Sequence, residues 1–135
     1  MKYLLDTNIC IYVIRKKPGK VIARLKACQP GNVAVSVIAS AELFYGCFKS
    51  DPARRQSNLH ALRLFLTPFS TVPFDERDAE QFGKLKAVLQ SRGNALADLD
   101  IAIASQAAAR GLILVTNNVR HFRRVPGLKA ENWVR

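Results

Sequence analysis

Two apolar runs in this chain, each stopped abruptly by small polar residues, constrain its fold more than any other feature. Tyr3-Leu4-Leu5 leads straight into Asp6-Thr7-Asn8, and Leu112-Ile113-Leu114-Val115 leads into Thr116-Asn117-Asn118. Neither run has room for a polar face, which is how a strand buried on both sides of a parallel sheet reads. In an open α/β sheet, ligands sit just beyond the carboxyl ends of the strands. An acid at such a tip therefore stands where chemistry is usually found. Asp6 also has a plainer reading, as the side-chain cap of the helix that follows.

Between the two runs, strand-like and helix-like segments alternate. Residues 9–14 are apolar and read as a continuing helix, closed by the basic turn Arg15-Lys16-Lys17-Pro18-Gly19. Val21, Ile22, Leu25 and Cys28 recur at helical spacing, and Gln29-Pro30-Gly31-Asn32 breaks that helix. Val33-Ala34-Val35-Ser36 is a second candidate strand, running into a helix over residues 37–48 that carries Glu42 in an early turn. Ser50-Asp51-Pro52 ends that helix and starts another, with Leu59, Leu62, Leu64, Phe65 and Leu66 as its apolar face. A short third strand is expected over residues 69–74. A helix over residues 75–92 and an Ala-rich helix over residues 101–110 follow, with Gly111 as C-cap of the latter. Residues 119–135 read as a basic tail. Strands alternating with helices in this way predict a parallel sheet covered by helices on both faces, with right-handed crossovers. The tips of the two opening runs then share one edge of the sheet.

The charge balance points to a partner. Lys and Arg number 21 against 10 Asp and Glu, a formal net charge of +11 over 135 residues. A single domain of this length that is so basic repels itself unless it meets a polyanion, which puts nucleic acid first, while an acidic protein or an anionic membrane would satisfy the same charge. The cysteines, Cys10, Cys28 and Cys47, are odd in number and widely spaced, and read as small hydrophobes in a reducing compartment. His60 and His121 do not stand at zinc-site spacing from them; they read as surface or RNA-contacting residues. Asp6 interrupts the one early apolar run, so no signal peptide is expected, and no stretch approaches the roughly 18 apolar residues of a membrane span. The expected location is the cytoplasm.

Four acids stand at structural junctions: Asp6 at a strand tip, Glu42 early in a helix, and Asp98 and Asp100 where the Ala-rich helix begins. Gathered together they would repel and raise one another's pKa, and a hard divalent cation removes that penalty. Mg²⁺ takes oxygen ligands and keeps several waters, so a few carboxylates suffice; such an ion activates water and stabilises charge on a phosphate. Each acid has a plainer reading too. Asp98 and Asp100 both favour a helix N-terminus, and residues two apart cannot face the same way on a regular helix, so one of them can be only a cap. Glu42 can be a solvated helix residue.

Taken in order and spacing, these motifs resemble the VapC-type toxins of VapBC type II toxin–antitoxin pairs, which are PIN-domain ribonucleases. The resemblance spans essentially the whole chain. It rests on Leu4-Leu5-Asp6-Thr7-Asn8, on Ser40-Ala41-Glu42-Leu43-Phe44-Tyr45-Gly46, on Asp98-Leu99-Asp100-Ile101-Ala102-Ile103-Ala104, on the last apolar run with Thr116-Asn117-Asn118, and on the ending from Pro126-Gly127-Leu128 to Glu131-Asn132-Trp133. It implies a single PIN-like domain over residues 1–135, with three α/β/α layers around a parallel sheet of four to five strands. The family's metal-binding acids correspond to Asp6, Glu42 and Asp100, with Asp98 as an accessory acid. Its fourth position, often Asp, falls here on the neutral Asn118, which puts a second metal in question. Thr116, Thr7 and Asn8 match the small polar residues that hold the acids or an ion-bound water.

The implied activity is Mg²⁺-dependent hydrolysis of RNA phosphodiesters, with Mn²⁺ as a substitute for the ion. The opening Asp6-Thr7-Asn8-Ile9-Cys10-Ile11-Tyr12 is similar to enteric members that act on initiator tRNA. The resemblance also implies a cognate VapB-type antitoxin that binds DNA through its own N-terminal domain, higher toxin–antitoxin assemblies, no membrane partner, and a toxin homodimer, for whose contact helices 37–48 and 54–66 are the candidates. Two other classes compete. One is a non-catalytic basic module holding RNA or an acidic protein, its acids serving as caps. The other is a structure-specific DNA nuclease, for whose DNA-gripping arch 135 residues leave little space.

Overall fold

The computed structural model describes residues 1–135. Five short strands, β1 (Tyr3–Leu5), β2 (Val33–Ser36), β3 (Ser70–Val72), β4 (Ile113–Val115) and β5 (Lys129–Glu131), form one sheet in the order β3-β2-β1-β4-β5. Every pairing is parallel, with Leu5 level with Val35 on one side and with Val115 on the other. The central strand is thus the first in sequence. Leu4 and Leu5 are fully buried, and burial of each side chain stabilises the fold by about 1.5–3 kcal/mol. From β1 the chain builds outward through β2 and β3, then crosses back to lay β4 and β5 on the opposite side. The order therefore reverses between β1 and β4, and in an open α/β sheet such a point, beyond the carboxyl edge, is where ligands bind.

Seven helices cover the sheet: α1 (Thr7–Arg15), α2 (Gly19–Ala27), α3 (Val37–Lys49), α4 (Pro52–Leu66), α5 (Glu76–Ser91), α6 (Asp98–Arg110) and α7 (Val119–Phe122). β1 passes into α1 and β2 into α3 without a loop. One residue ends the strand side and caps the helix: Asp6 accepts from the Ile9 N–H at 2.8 Å, and Ser36 from the Ile38 N–H at 2.9 Å. These direct turns fix the strand tips in space. α4 begins the same way, with Asp51 as cap and Pro52 in the first turn, where its missing N–H is not needed. α6 is buried at every position from Ile101 to Ala107, as its small side chains allow, and ends at Gly111 in a left-handed conformation (φ 65°) that suits glycine.

A buried polar network fastens α6 to its neighbours. Gln106 meets the Ser36 hydroxyl and donates through Nε2 to the carbonyls of Val72 and Pro73, both at 3.1 Å. Arg110 pairs with the fully buried Asp78, and with Asp75 at 3.2 Å. Asp75 and Asp78 themselves form a reciprocal capping box at the start of α5.

Two expectations are corrected. The third strand covers only Ser70–Val72, shorter than residues 69–74: Pro73 has no N–H for the ladder, and Phe69 turns to pack on Phe65, ring centroids 5.1 Å apart. Residues 119–135 are not a solvated tail. They form α7 and the edge strand β5, and they bury Phe122, Val125 and Trp133. Trp133 stands edge-on to Tyr3, centroids 5.1 Å apart, and its indole N–H donates to Glu131 at 3.2 Å. No helix is long and apolar enough to cross a membrane.

Candidate active site

The reversal of strand order gathers polar side chains from several elements at one edge. Asp6 closes β1 and is only 7% exposed, while Thr116 closes β4 and is fully buried. The two tips are stitched together where the Asp6 N–H donates to the Val115 carbonyl at 3.0 Å. Burial is the main force raising the Asp6 carboxyl, from 3.8 to about 6. Hydrogen bonds from the Thr116 hydroxyl and the Ile9 N–H pull it back down, and the charges of Asp100 and Glu42 push it up again. Two acids far from Asp6 in sequence thus bear on its carboxyl.

Glu42 comes from the second turn of α3 and is half-buried. The Thr7 hydroxyl donates to its Oε1 at 2.6 Å, so the first turn of α1 holds the glutamate of another helix. Asp100 projects from the first turn of α6. Burial raises its pKa, and His121 on α7, with Nε2 3.9 Å from Oδ2, opposes that rise. The cap bond of Asp6 occupies one carboxylate oxygen once, and a carboxylate accepts several bonds. Capping and ion binding by Asp6 are thus compatible. No three His, Cys, Asp or Glu side chains close into a ready-made cage. The donor set is all oxygen, negatively charged and partly desolvated, which suits a hard divalent cation.

The PIN-domain family profile matches residues 3–128. Ribonuclease VapC2 of Haemophilus influenzae is 42% identical over 134 residues, covering 99% of both chains. The chain belongs to the VapC family of PIN-domain ribonucleases. The tRNA(fMet)-specific endonuclease VapC of Shigella flexneri is 39% identical over 98% of each chain. The crystal structure of VapBC2 from Rickettsia felis, bound to a promoter DNA fragment, superimposes with a TM-score of 0.91 at 37% identity, over 98% of this chain and 99% of that one.

Seen as a VapC-family site, the remaining expected residues fall in different places. Asp98 is the first residue of α6, exposed, with Oδ1 3.0 Å from Lys86 Nζ of α5. It caps nothing, since the cap position is Ala97, and it does not figure among the charges acting on Asp6. Asn118 precedes α7, and its N–H donates to Thr116 Oγ1 at 2.9 Å, which braces the threonine behind Asp6. Asn8 is exposed on the first turn of α1. Asn117 donates to the Tyr12 hydroxyl at 3.3 Å, tying the β4 tip to α1. Tyr12 lies on α1, which follows β1 directly, and the parallel pairing of β1 with β4 brings Asn117 within reach of it. Cys10 lies deep under Asp6 with its thiol pKa pushed up by burial, so it packs as a hydrophobe and not as a nucleophile.

Proposed function

We propose that this chain is the toxin of a type II toxin–antitoxin pair, a Mg²⁺-dependent endoribonuclease that hydrolyses RNA phosphodiester bonds in the cytoplasm. The observation that carries the reading is the buried carboxyl of Asp6 at the strand tip where the sheet order reverses, with the charges of Glu42 and Asp100 acting on it. The Asp6 carboxyl there is desolvated and further raised by the other two acids.

Asp6, Glu42 and Asp100 would hold the ion. When bound, Mg²⁺ supplies an activated water and charge stabilisation on the phosphate, and Mn²⁺ can take its place. The chain's own groups do the rest. Thr116 and the Ile9 N–H hold the Asp6 carboxylate, Thr7 fixes Glu42, and His121 stands beside Asp100. Asn118 braces Thr116, and Asp98 is exposed and paired with Lys86. The net charge of +11 draws a polyanion toward an edge that is locally acidic.

Initiator tRNA is the proposed target, supported by the full-length likeness to tRNA(fMet)-specific endonucleases of Shigella flexneri and Salmonella typhimurium. A VapB-type antitoxin is the proposed partner, because the matching structures from Rickettsia felis and Salmonella typhimurium are VapBC assemblies on DNA; any DNA contact of this chain would then be made through that antitoxin. A toxin homodimer through α3 and α4 is proposed as well, since Tyr45, Phe48 and Leu64 expose large apolar side chains on these helices.

The test is brief induced expression followed by sequencing of new RNA 5′ ends, with wild type and Asp6→Asn compared. Wild type should yield discrete ends, in initiator tRNA first, and Asp6→Asn should yield none while remaining folded. With purified protein, EDTA should stop cleavage and Mg²⁺ or Mn²⁺ should restore it. Cleavage that persists in EDTA, or a fully toxic Asp6→Asn variant, would refute the reading.

A further inference from the structure

Asn118, which braces Thr116, also lines a cavity of about 600 Å³. Its lining carries three guanidinium groups, Arg120, Arg123 and Arg135, and the amides of Asn117, Asn118 and Asn132, and it contains no acid. The chain's ion pairs are made by Arg24, Arg77, Lys84, Lys86, Arg110 and His121. None of the three cavity arginines takes part in one. Like charges that converge without a counter-charge raise the energy of a fold unless an anion joins them. Five of the 21 Lys and Arg residues make an ion pair, so an unpaired arginine is ordinary here; what marks these three is that they line one cavity together with no acid in its wall.

The amides are not free-swinging. Asn132 donates to Asn117 Oδ1 at 3.3 Å and accepts from the Val134 N–H at 2.8 Å, and Asn117 donates onward to Tyr12. The cavity floor is thus tied to β5 and α1. The cavity also adjoins the acids: Asn118 lines it while bracing Thr116, and His121, between Arg120 and Arg123 in sequence, reaches Asp100 at 3.9 Å. A planar guanidinium matches phosphate oxygens two at a time, which lysine cannot do.

We propose that the cavity of Arg120, Arg123 and Arg135 is a phosphate-binding subsite that seats the RNA backbone beside the acids and sets which linkage lies over them. It rests on the ribonuclease reading for its ligand, and its contacts are to backbone phosphate, so they position the strand without reading its bases.

The test is binding without cleavage. A short, fluorescein-labelled single-stranded RNA of mixed sequence is titrated in EDTA over a range of KCl concentrations, and affinity is read by anisotropy. Arg120→Ala with Arg123→Ala should weaken binding and lower the slope of log affinity against log salt by about 1.4, at roughly 0.7 per lost single-strand phosphate contact. All three arginines are exposed, so the variants should fold. The double lysine variant should keep the slope but bind less tightly, since the point charges remain and the paired geometry is lost. Lys20→Ala with Lys84→Ala removes the same charge from exposed helix positions outside the cavity and should leave the slope near wild type.

An unchanged slope in the arginine pair, an equal fall in the lysine control, or no RNA binding by wild type would overturn the subsite. So would a loss confined to binding of an acidic partner peptide. Cleavage in Mg²⁺ is scored separately on wild type. Cleavage with a null result in the arginine pair removes only the subsite; specific binding loss with no cleavage removes only the nuclease reading.

Discussion

At the scale of single residues, Asp6 makes the sharpest demand. Its carboxyl is raised to about 6 chiefly by burial, above its ordinary 3.8. The native state therefore holds that proton more tightly than the unfolded chain does. The sign follows: its contribution to stability is greatest at low pH and fades as pH climbs from about 4 through about 6. About two pKa units correspond to about 3 kcal/mol. In EDTA, Asp6→Asn should remove this dependence and leave the protein more stable than wild type above pH 6, by up to that amount. Urea melts across the pH range read this directly; a variant less stable than wild type at neutral pH would contradict it. Mg²⁺ should raise the wild-type melting temperature more above pH 6 than below, because the ion competes with the proton, and should leave Asp6→Asn nearly unmoved.

Thr7 allows a finer test at the same scale. Its hydroxyl holds Glu42 Oε1 at 2.6 Å. Thr7→Val keeps the shape and loses the bond, so it should lower kcat by roughly tenfold to a hundredfold through misplacement of the carboxylate. KM should change little, and Thr7→Ser should restore most of the rate. A KM effect with normal kcat would assign Thr7 to substrate binding. Position alone marked Asp6, Glu42, Asp98 and Asp100 as acids at junctions, and only the family resemblance preferred Asp100 to Asp98. It also suggested that Thr7 and Thr116 hold acids, but not which: Thr7 grips Glu42, which lies 35 positions away.

At the scale of elements, strands with a uniform apolar character were easy to read and those without it were not. β1, β2 and β4 are buried on both faces, and their sequences say so. β5 is an edge strand of sequence Lys-Ala-Glu, whose charges hide it among basic neighbours. The family-like ending from Pro126 to Trp133 is the part of residues 119–135 whose packing the resemblance implied. The clamp between α5 and α6 was equally hidden, since Asp78 and Arg110 look like solvated helix residues until the helices meet. Asp78 is fully buried, and Arg110 supplies its charged partner. Arg110→Ala strands a buried carboxylate and should destabilise the protein by about 3–5 kcal/mol. Arg110→Met combined with Asp78→Leu should recover most of that loss, although Asp78 also serves the α5 capping box. Denaturant titration of the two variants decides the matter; equal losses in both would show that packing and the cap, not the unpaired charge, set the cost.

At the scale of the whole molecule, charge and apolar surface act in opposite directions. Tyr45 and Phe48 on α3 and Leu64 on α4 are more than half exposed, in the two helices proposed for self-association. Two protomers of net charge +11 repel each other, and salt screens that repulsion over about 10 Å at 0.1 M. Dimerisation should therefore strengthen as salt is added, whereas RNA binding by the same surface charge should weaken. Sedimentation velocity at micromolar protein should show the dimer fraction rising with KCl. Phe48→Arg with Leu64→Arg places charge at the contact and should leave a folded monomer at every salt concentration. A wild-type protein that stays monomeric throughout the series would remove the α3–α4 interface. A dimer that survives both substitutions would move the contact to another face. The two salt responses run in opposite directions because one association hides like charge from like, while the other exchanges condensed counterions for arginine and lysine.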